Sequence, residues 1–450
     1  MSSGRFGRLT DPPASLTILG ARVIDPAAGA DEVRDLAVRD GVIVETGAAG
    51  GGERFDATGL VVAPGFCDLH VHLREPGLDG SESIESGARA ASHGGFTTIC
   101  AMPNTDPPLD DPELVRRLAG RAGDVACRVR FVGAATRRRR GEEPSDIEAL
   151  AGAGVVAVSD DGAGVPTHQL AATILRRAAA AGLTLIEHAE DPTLAGDGVM
   201  RAGSTATRLG LAGWAPGAEL SMVERDIRLA RETGARVHLT HLSTTAAVDA
   251  VRAAKSRGVR VTADVTPHHL ALTDDWVAGS RSFAWEAPDR TVAATSRAYD
   301  GATRVNPPLA SREDALALLA GVEDGTIDAI ATDHAPHPLH RKLVPFAHAA
   351  PGLIGLETAL SIGLAAVEAG RLSLGRLVEA LSTAPATIIG ERRSLAAGQP
   401  ADLVVFDPQT RWRVDPSALA SASSNTPLMG MELPGVVRMT VADGRVTYRS

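Results

Sequence analysis

Two histidines and an arginine alternate on one short apolar run, PGFCDLHVHLREPG (64–77). Side chains at i and i+2 of an extended strand lie on the same face, so His70, His72 and Arg74 are predicted to point together. Two imidazoles directed at one point are a common beginning of a metal site. A cation beside them indicates an anionic ligand. An H-x-H pair alone is equally typical of a polar strand end. The choice between that and a metal site therefore depends on other parts of the sequence.

Histidines and acids also stand at the ends of four later apolar runs. In chain order they are Asp160 and Asp161, His188, His241, and Asp333. A single buried histidine is usually a hydrogen-bonded core residue, but packing does not explain this repetition. Imidazole and carboxylate together are ligands typical of zinc or a similar divalent ion. The sequence therefore predicts a metal site, provided that the strand ends meet.

Eight β-type runs in the middle of the chain supply those strand ends. They are 66–71, 97–102, 129–134, 155–160, 183–188, 236–241, 260–265 and 327–332. Helical Ala/Leu/Arg-rich patterns separate most of them, which is typical of βαβ units and a parallel sheet. Eight such units predict a (β/α)₈ barrel of the TIM type, which takes about 250 residues and places catalytic groups at the C-terminal ends of its strands. The longer stretch after the seventh strand is predicted to form an extended loop over that face.

Both ends of the chain contain short β-type runs separated by turn residues, such as 16–26, 35–47, 401–408 and 435–449. We expect the two ends to pair into one small β-sandwich. The predicted domains are residues 1–64 for the first part of the sandwich, 65–392 for the barrel and 393–450 for the second part.

Composition excludes several classes of function. The net charge of −10 in 450 residues argues against a whole-protein nucleic-acid surface. The apolar runs are too short to span a bilayer, and the N-terminus lacks the hydrophobic segment of a signal peptide. Three scattered cysteines do not make a disulfide framework. The run RRRR (137–140) is followed by acids and is interpreted as a solvated loop. These features predict a cytoplasmic protein that binds neither membranes nor nucleic acid.

Several longer motifs carry a specific resemblance. They are DLHVHLREPG (68–77), MPNT (102–105), VTPHHL (265–270), VNPPL (305–309), ATDHAPH (331–337), GLETAL (355–360) and the tail NTPLMGMELPG (425–435). Together they resemble dihydroorotase of the bacterial type, within the amidohydrolase superfamily of metal-dependent hydrolases. The similarity runs from about residue 16 to the C-terminus. It departs from the family at Cys67, where a valine is common, and in the long segment 276–303.

The resemblance implies zinc as cofactor, with one or two ions per subunit. It implies that His70, His72 and Asp333 bind one metal, that His188 and His241 bind a second, and that an aspartate after the fourth strand bridges them. Strand alternation would send Val156 and Val158 towards the helices. That favours Asp161 over Asp160 as the bridge, and the choice stays open.

The resemblance also implies a reaction, the reversible interconversion of N-carbamoyl-aspartate and dihydroorotate in pyrimidine synthesis. Asp333 would transfer the proton. Arg74 offers a planar fork that matches a substrate carboxylate in two hydrogen bonds. The implied substrate contacts are His72, Arg74, Asn104, Asn306, His337, and backbone groups near Pro351 and Gly352. His268 and His269 are expected to support the metal region from outside, and His238 to face away from His241.

The lysine count separates this family from its relatives. Hydantoinases and dihydropyrimidinases share the fold but bridge their metals with a carboxylated lysine after the fourth strand. The chain has only two lysines, Lys255 and Lys342, and neither is near that position. Two alternatives stay open: another cyclic amidase of the allantoinase or hydantoinase type, and a non-catalytic scaffold of aspartate carbamoyltransferase. The predicted protein partners are a second copy of this chain, in a homodimer, and that transferase.

Overall fold

The computed structural model describes residues 4–46, 52–77, 80–287 and 297–450. Its middle contains eight parallel strands whose order in the sheet follows their order in the chain. They are Phe66–Val71, Phe96–Ala101, Arg128–Ala134, Ala157–Ser159, Thr184–Glu187, Val237–Leu239, Val261–Val265 and Ala329–Ile330. Each observed strand overlaps one of the eight predicted runs. The predicted (β/α)₈ barrel is confirmed, and we number these strands first to eighth.

The barrel closes at the C-terminal end of its first strand. Val71 forms a parallel bridge with His334, just beyond the eighth strand, and the amide of His72 donates to the carbonyl of His334 at 2.9 Å. An apolar cluster fills the interior with one residue from each of six strands, namely Leu69, Cys100, Val132, Ala157, Ile186 and Ala329. The barrel is therefore a packed core and not a pore.

Helices surround the barrel, and side-chain caps fix where several of them begin. Thr167, Thr244 and Ser311 each accept a hydrogen bond from the amide three residues later, as N-cap residues do. The helices are Ile84–His93, Pro112–Arg121, Ile147–Gly152, His168–Ala180, Pro192–Ala195, Ser204–Leu209, Gly217–Thr233, Thr245–Ser256, Pro267–Ala271, Arg312–Glu323, Leu339–Lys342, Ala359–Glu368, Leu374–Leu381 and Thr383–Ile388. Among the described residues, none is both long and apolar enough to cross a bilayer.

The two ends of the chain form one nine-stranded sheet. Its strands are Arg5–Phe6, Leu16–Asp25, Ala30–Arg39, Val42–Val44, Glu53–Asp56, Val61–Pro64, Leu403–Arg413, Glu432–Ala442 and Arg445–Arg449. The ends meet where Val61–Pro64 pairs antiparallel with residues 403–406. Edge strand Val42–Val44 contacts the turn before residue 403, through a bridge between Val42 and Pro400. The sheet thus curls around a core drawn from both ends. The domain boundaries at 64/65 and 392/393 stay predictions.

The long segment after the seventh strand is only partly described. Residues 288–296 of the predicted insertion lie outside the described residues. Downstream of them, the ring Nε2 of His269 lies 3.0 Å from the carbonyl of Pro307, and the amide of Asn306 lies 3.4 Å from Nε2 of His188. This part of the segment therefore reaches the mouth of the barrel, as predicted.

Candidate active site

Asp161 is at the centre of the polar groups in the barrel mouth. Its Oδ1 lies 3.2 Å from Nε2 of His70, 3.6 Å from Nδ1 of His188 and 3.8 Å from Nε2 of His241. Its Oδ2 lies 3.5 Å from Nε2 of His72. The two oxygens of one carboxylate thus face ring nitrogens of four histidines. This is the arrangement that a bridging ligand requires.

Asp333 joins the same cluster from the end of the eighth strand. Its Oδ1 lies 2.9 Å from Nε2 of His72 and 3.4 Å from Nε2 of His70. Two sets of three residues bring their ligand atoms within 4.8 Å of one another: His70, His72 and Asp333, and His70, Asp161 and His241. The structure therefore brings together all six residues predicted to bind metal, and their roles as ligands stay a prediction.

The unpartnered atoms of the cluster fit a divalent cation. His70 Nε2 and Asp161 Oδ1 are buried and have no hydrogen-bond partner. A buried polar atom without a partner costs free energy, and a bound cation would coordinate both of these atoms. The imidazole and carboxylate donors suit zinc. The residues present therefore fit the predicted metal.

Hydrogen bonds behind the cluster leave Nε2 of both strand-one histidines available. The hydroxyl of Thr240 donates to Asp264 at 3.0 Å, so its oxygen accepts from Nδ1–H of His70 at 2.9 Å. The side-chain amide of Asn104 donates to Asp161 at 3.1 Å, so its Oδ1 accepts from Nδ1–H of His72 at 2.9 Å. Such partners fix the tautomer and orientation of metal-binding histidines.

The electrostatic field of the cluster favours positive charge. Burial opposes the charged form of His70, but the carboxylates of Asp161 and Asp333 outweigh it and raise the pKa of His70 to about 9. Burial also opposes the charged form of His188, but the neighbouring carboxylates of Asp161 and Glu190 outweigh it and raise the pKa of His188 to about 10. Burial likewise opposes ionisation of Asp161, yet the neighbouring histidines hold its pKa well below its usual range. A site that holds extra protons so firmly can exchange them for a cation.

Asp160 points elsewhere, so the structure places Asp161 and not Asp160 in the cluster. The carboxylate of Asp160 accepts from the amide of Thr136 at 3.0 Å and bonds the Thr136 hydroxyl. The predicted alternation is correct for Val158, which packs between strands and helices. It is wrong for Val156, which packs against the interior cluster, because the regular strand begins only at Ala157.

A second group of predicted residues lies beside the cluster. The Nε of Arg74 donates to the carbonyl of Pro336 at 3.2 Å, and its Nη2 lies 3.3 Å from Nε2 of His337. The same His337 nitrogen lies 2.8 Å from the carbonyl of Pro351. Burial, reinforced by the charge of Arg74, lowers the pKa of His337 to about 3, so its imidazole is neutral. Within the described residues no carboxylate pairs with Arg74, whose guanidinium is thus available to an anion.

Gly352 is held by its own hydrogen bonds. Its amide donates to the carbonyl of Arg304 at 2.8 Å. Its φ is +123°, and a Cβ atom there would come within 2.5 Å of the Ala335 side chain, so only glycine fits. The amide is already used, so the predicted contact of Gly352 with substrate stays a prediction.

Three of the predicted site residues have left-handed backbone, with φ of +58° at Arg74, +41° at His241 and +47° at Asp333. Such conformations are strained for residues other than glycine, and the surrounding structure must maintain them. They also explain an error in the sequence analysis. Strand six ends at Leu239, so alternation does not extend to His241. His238 lies behind the cluster and not away from it. Its Nε2 lies 2.7 Å from Asp264, whose carboxylate also accepts from the Thr240 hydroxyl that bonds His70 and from the backbone amide of His241 at 2.6 Å.

Three residues around the cluster were not anticipated as parts of the site. Thr240 and Asp264 orient His70, and Arg139, from the run predicted to be a solvated loop, donates to the carbonyl of Asp160 at 3.1 Å. An aspartate inside the apolar run RVTADV was an available signal, since carboxylates are rarely buried without a partner. His268 is buried and neither of its ring nitrogens has a hydrogen-bond partner, so its predicted supporting role stays a prediction.

Both lysines lie outside the cluster. Lys255 is in helix Thr245–Ser256 and pairs with Asp328 at 2.7 Å. Lys342 donates to backbone carbonyls after the eighth strand. The position after the fourth strand is occupied by the two aspartates, and the four histidines meet the carboxylate of Asp161 there.

Comparison with known proteins agrees with this geometry. A Dihydro-orotase-like family model matches residues 59–247. Dihydroorotase of Pelobacter propionicus is 46% identical over 97% of this chain and 100% of its own length. Dihydroorotase of Anaeromyxobacter sp. (strain K) is 46% identical over 96% of this chain and 98% of its own length. This chain belongs to the dihydroorotase family. The resemblance predicted from the motifs is thereby confirmed.

Solved structures of more distant relatives share the fold of this dihydroorotase family member. L-hydantoinase (dihydropyrimidinase) from Arthrobacter aurescens superimposes with a TM-score of 0.82, at 25% identity over 96% of each chain. A D-hydantoinase gives a TM-score of 0.79 at 23% identity, covering 96% of this chain and 94% of the other. These similarities show the barrel fold.

Proposed function

We propose that this protein is a dihydroorotase, a cyclic amide hydrolase that interconverts N-carbamoyl-L-aspartate and (S)-dihydroorotate in pyrimidine synthesis. The observation that carries the proposal is the convergence of four histidines and two aspartates beside Arg74, whose guanidinium pairs with no carboxylate among the described residues. Full-length identity of 46% to proteins named dihydroorotase supports it. We further propose zinc as the metal, one or two ions per subunit. A cytoplasmic location, a homodimer and an association with aspartate carbamoyltransferase stay predictions.

The ligands proposed for the metal are His70, His72 and Asp333 for one ion and His188 and His241 for a second, with Asp161 between them. These residues would hold a divalent ion that would polarise the amide carbonyl and lower the pKa of a bound water to about 7. The chain itself must orient the substrate and move a proton.

Asp333 is proposed to move that proton. Its contacts within the described residues run through Oδ1, to His70 and His72, so Oδ2 is left to accept a proton. Although burial opposes its ionisation, the two histidines lower the pKa of Asp333 and keep it ionised at neutral pH. In ring opening, Oδ2 takes a proton from the attacking water and returns it to the departing ring nitrogen. Ring closure uses the same steps in reverse.

Arg74 is proposed to hold the substrate carboxylate that takes no part in bond breaking. Its planar fork can donate two parallel hydrogen bonds to a carboxylate. Burial lowers the pKa of Arg74 to about 10, and the guanidinium stays charged at neutral pH. The neutral His337 lies beside this guanidinium, and Asn306 lies beside His188.

The decisive test measures turnover of dihydroorotate, dihydrouracil and allantoin by the zinc-loaded protein, with zinc quantified in each preparation. We expect dihydroorotate to be the preferred substrate. Asp333→Asn is expected to lower kcat roughly 10²- to 10⁴-fold, the usual contribution of a positioned acid–base group. Asp324→Asn, at an exposed carboxylate, serves as the control and should leave kcat unchanged. Preference for either other substrate, or no turnover of dihydroorotate by metal-loaded protein, would refute the proposal.

A further inference from the structure

Lys342 is buried on a segment whose apolar residues are exposed. It ends the short helix Leu339–Lys342 and is 4% exposed, whereas Leu339 and Leu343 are 54% and 78% exposed. Lysine is almost never fully buried unless it is paired. Burial lowers the pKa of Lys342 to about 7, so this placement has a free-energy cost. The amine must therefore make contacts that offset that cost.

Those contacts are three backbone carbonyls. The Nζ of Lys342 donates to the carbonyls of Ala350 at 2.6 Å, Gly352 at 2.7 Å and Arg304 at 3.2 Å. An ammonium has three donors, and here each has an acceptor. The three acceptors belong to two loops, one leading into Asn306 and the other containing Pro351. Lys342 therefore ties together two loops that border the candidate active site.

A chain of contacts joins this tie to Arg74. Pro351, between two of the acceptors, presents its carbonyl to His337, whose Nε2 lies 3.3 Å from Nη2 of Arg74. Asn425 supports the same arrangement from the C-terminal segment. Its Nδ2 donates to the carbonyl of Gly352 at 3.2 Å, and its Oδ1 accepts from the amide of His337 at 3.0 Å. Movement of the Pro351 loop would therefore displace His337 from Arg74.

We propose that Lys342 is a positioning residue for substrate binding: by holding the carbonyls of Arg304, Ala350 and Gly352, it keeps His337 and Arg74 aligned with the substrate carboxylate. This inference rests on the proposed function. A bidentate hydrogen bond depends on alignment, and a displacement of about 1 Å at a binding group can reduce catalytic efficiency roughly 10²-fold. The contacts that run from Lys342 through Pro351 and His337 to Arg74 include neither Asp333 nor another proposed metal ligand, so the loss should appear in KM.

Lys342→Met tests the proposal because methionine retains an unbranched side chain of similar size and removes the donors. The variant is expected to fold, since two of the three carbonyls keep another donor, from Asn425 and from the amide of Gly352. We expect the KM for dihydroorotate to rise roughly tenfold or more, with kcat within about threefold and zinc content unchanged. Lys255→Met removes the other lysine, on an outer helix, and is expected to leave both constants unchanged.

The outcomes separate this inference from the proposed function. If wild type and Lys255→Met turn over dihydroorotate while Lys342→Met is folded with an unchanged KM, the positioning role is wrong and the proposed function stands. A fall in kcat with no change in KM also overturns it. If the zinc-loaded wild type does not act on dihydroorotate, both fail together. Lys342→Gln, which keeps one uncharged donor group, must show the same KM-specific loss if Lys342→Met does not fold.

Discussion

At the scale of single residues, Asp160 and Asp161 are adjacent carboxylates with different surroundings. Asp161 faces four histidines and has an unpartnered oxygen, whereas Asp160 is fully used by Thr136. Burial is similar for the two, at 4% and 3% exposure. Burial raises the pKa of Asp160, whose Thr136 hydrogen bonds only partly offset it, while the histidines lower that of Asp161. The two pKa values therefore differ because the carboxylates point towards different neighbours, and not because one is more deeply buried than the other.

This difference predicts opposite consequences for the two asparagine variants. Asp161→Asn is expected to lower zinc affinity roughly 10²-fold or more and to abolish measurable turnover, because the carboxylate proposed to bridge the metal ligands is lost. Asp160→Asn is expected to keep zinc and turnover but to unfold with about 1–3 kcal/mol less free energy, because Thr136 loses a charged acceptor. Zinc content and urea unfolding, measured on both variants, test these two expectations. Zinc loss in Asp160→Asn with retention in Asp161→Asn would reverse the assignment.

The sequence predicted the cluster residues because each follows an apolar run and carries a side chain that packing does not need. It did not predict roles for Thr240 or Lys342, because the importance of these residues depends on what their side chains contact. Only the positions of the carbonyls around Lys342 give that residue a specific role.

At the scale of elements, the eight strands were predictable because apolar β-type runs alternate with helical patterns. The positions of strand ends were less so, as Val156 and His241 show. The joint sheet was predicted only as a pairing of the two ends. Its register, such as Val61 beside Phe406, depends on contacts more than 300 residues apart that no local pattern encodes.

Helix Gly217–Thr233 is tied to the loop after the sixth strand by a buried acid. Oε1 of Glu219 accepts from the amide of Ser243 at 2.9 Å, and Oε2 bonds the Ser243 hydroxyl. Burial raises the pKa of Glu219 to about 7, although both hydrogen bonds from Ser243 oppose this. The folded protein thus binds this proton more tightly than the unfolded chain does.

The stability contributed by protonated Glu219 is therefore complete below its unfolded pKa of about 4.5 and is lost as pH rises through about 7. Glu219→Gln can still accept from the Ser243 amide through its oxygen and can donate to the Ser243 hydroxyl through its nitrogen, and it cannot ionise. Between pH 5 and 7 we expect the unfolding free energy of wild type to fall relative to the variant, by up to about 1.4 kcal/mol per pH unit. Urea unfolding of both proteins across this range checks it. Parallel pH profiles would show that Glu219 titrates normally.

At the scale of the whole molecule, the mouth of the barrel concentrates groups that are unfavourable without a ligand. Two buried carboxylates and four histidines converge there, from positions between residues 70 and 333, and one atom each of His70 and Asp161 has no hydrogen-bond partner. Closure of the barrel between Val71 and His334 brings the first and last strands together. A cation that binds only the closed barrel must therefore stabilise the entire fold through mass action.

Removal of metal is accordingly expected to affect both stability and activity. Exhaustive chelation should abolish turnover of dihydroorotate and lower the Tm, and added zinc should restore both. At free zinc 100-fold above its Kd the gain in unfolding free energy is about 2.7 kcal/mol for one site. Asp161→Asn provides the matched control, since zinc at the same concentration should raise its Tm much less than that of the wild type. Full turnover in the chelated protein would show that the reaction does not need the metal. Equal zinc-induced Tm shifts in both proteins would show that Asp161 does not take part in binding it. Either result would contradict a metal centre in which Asp161 joins the histidines of strands one and six.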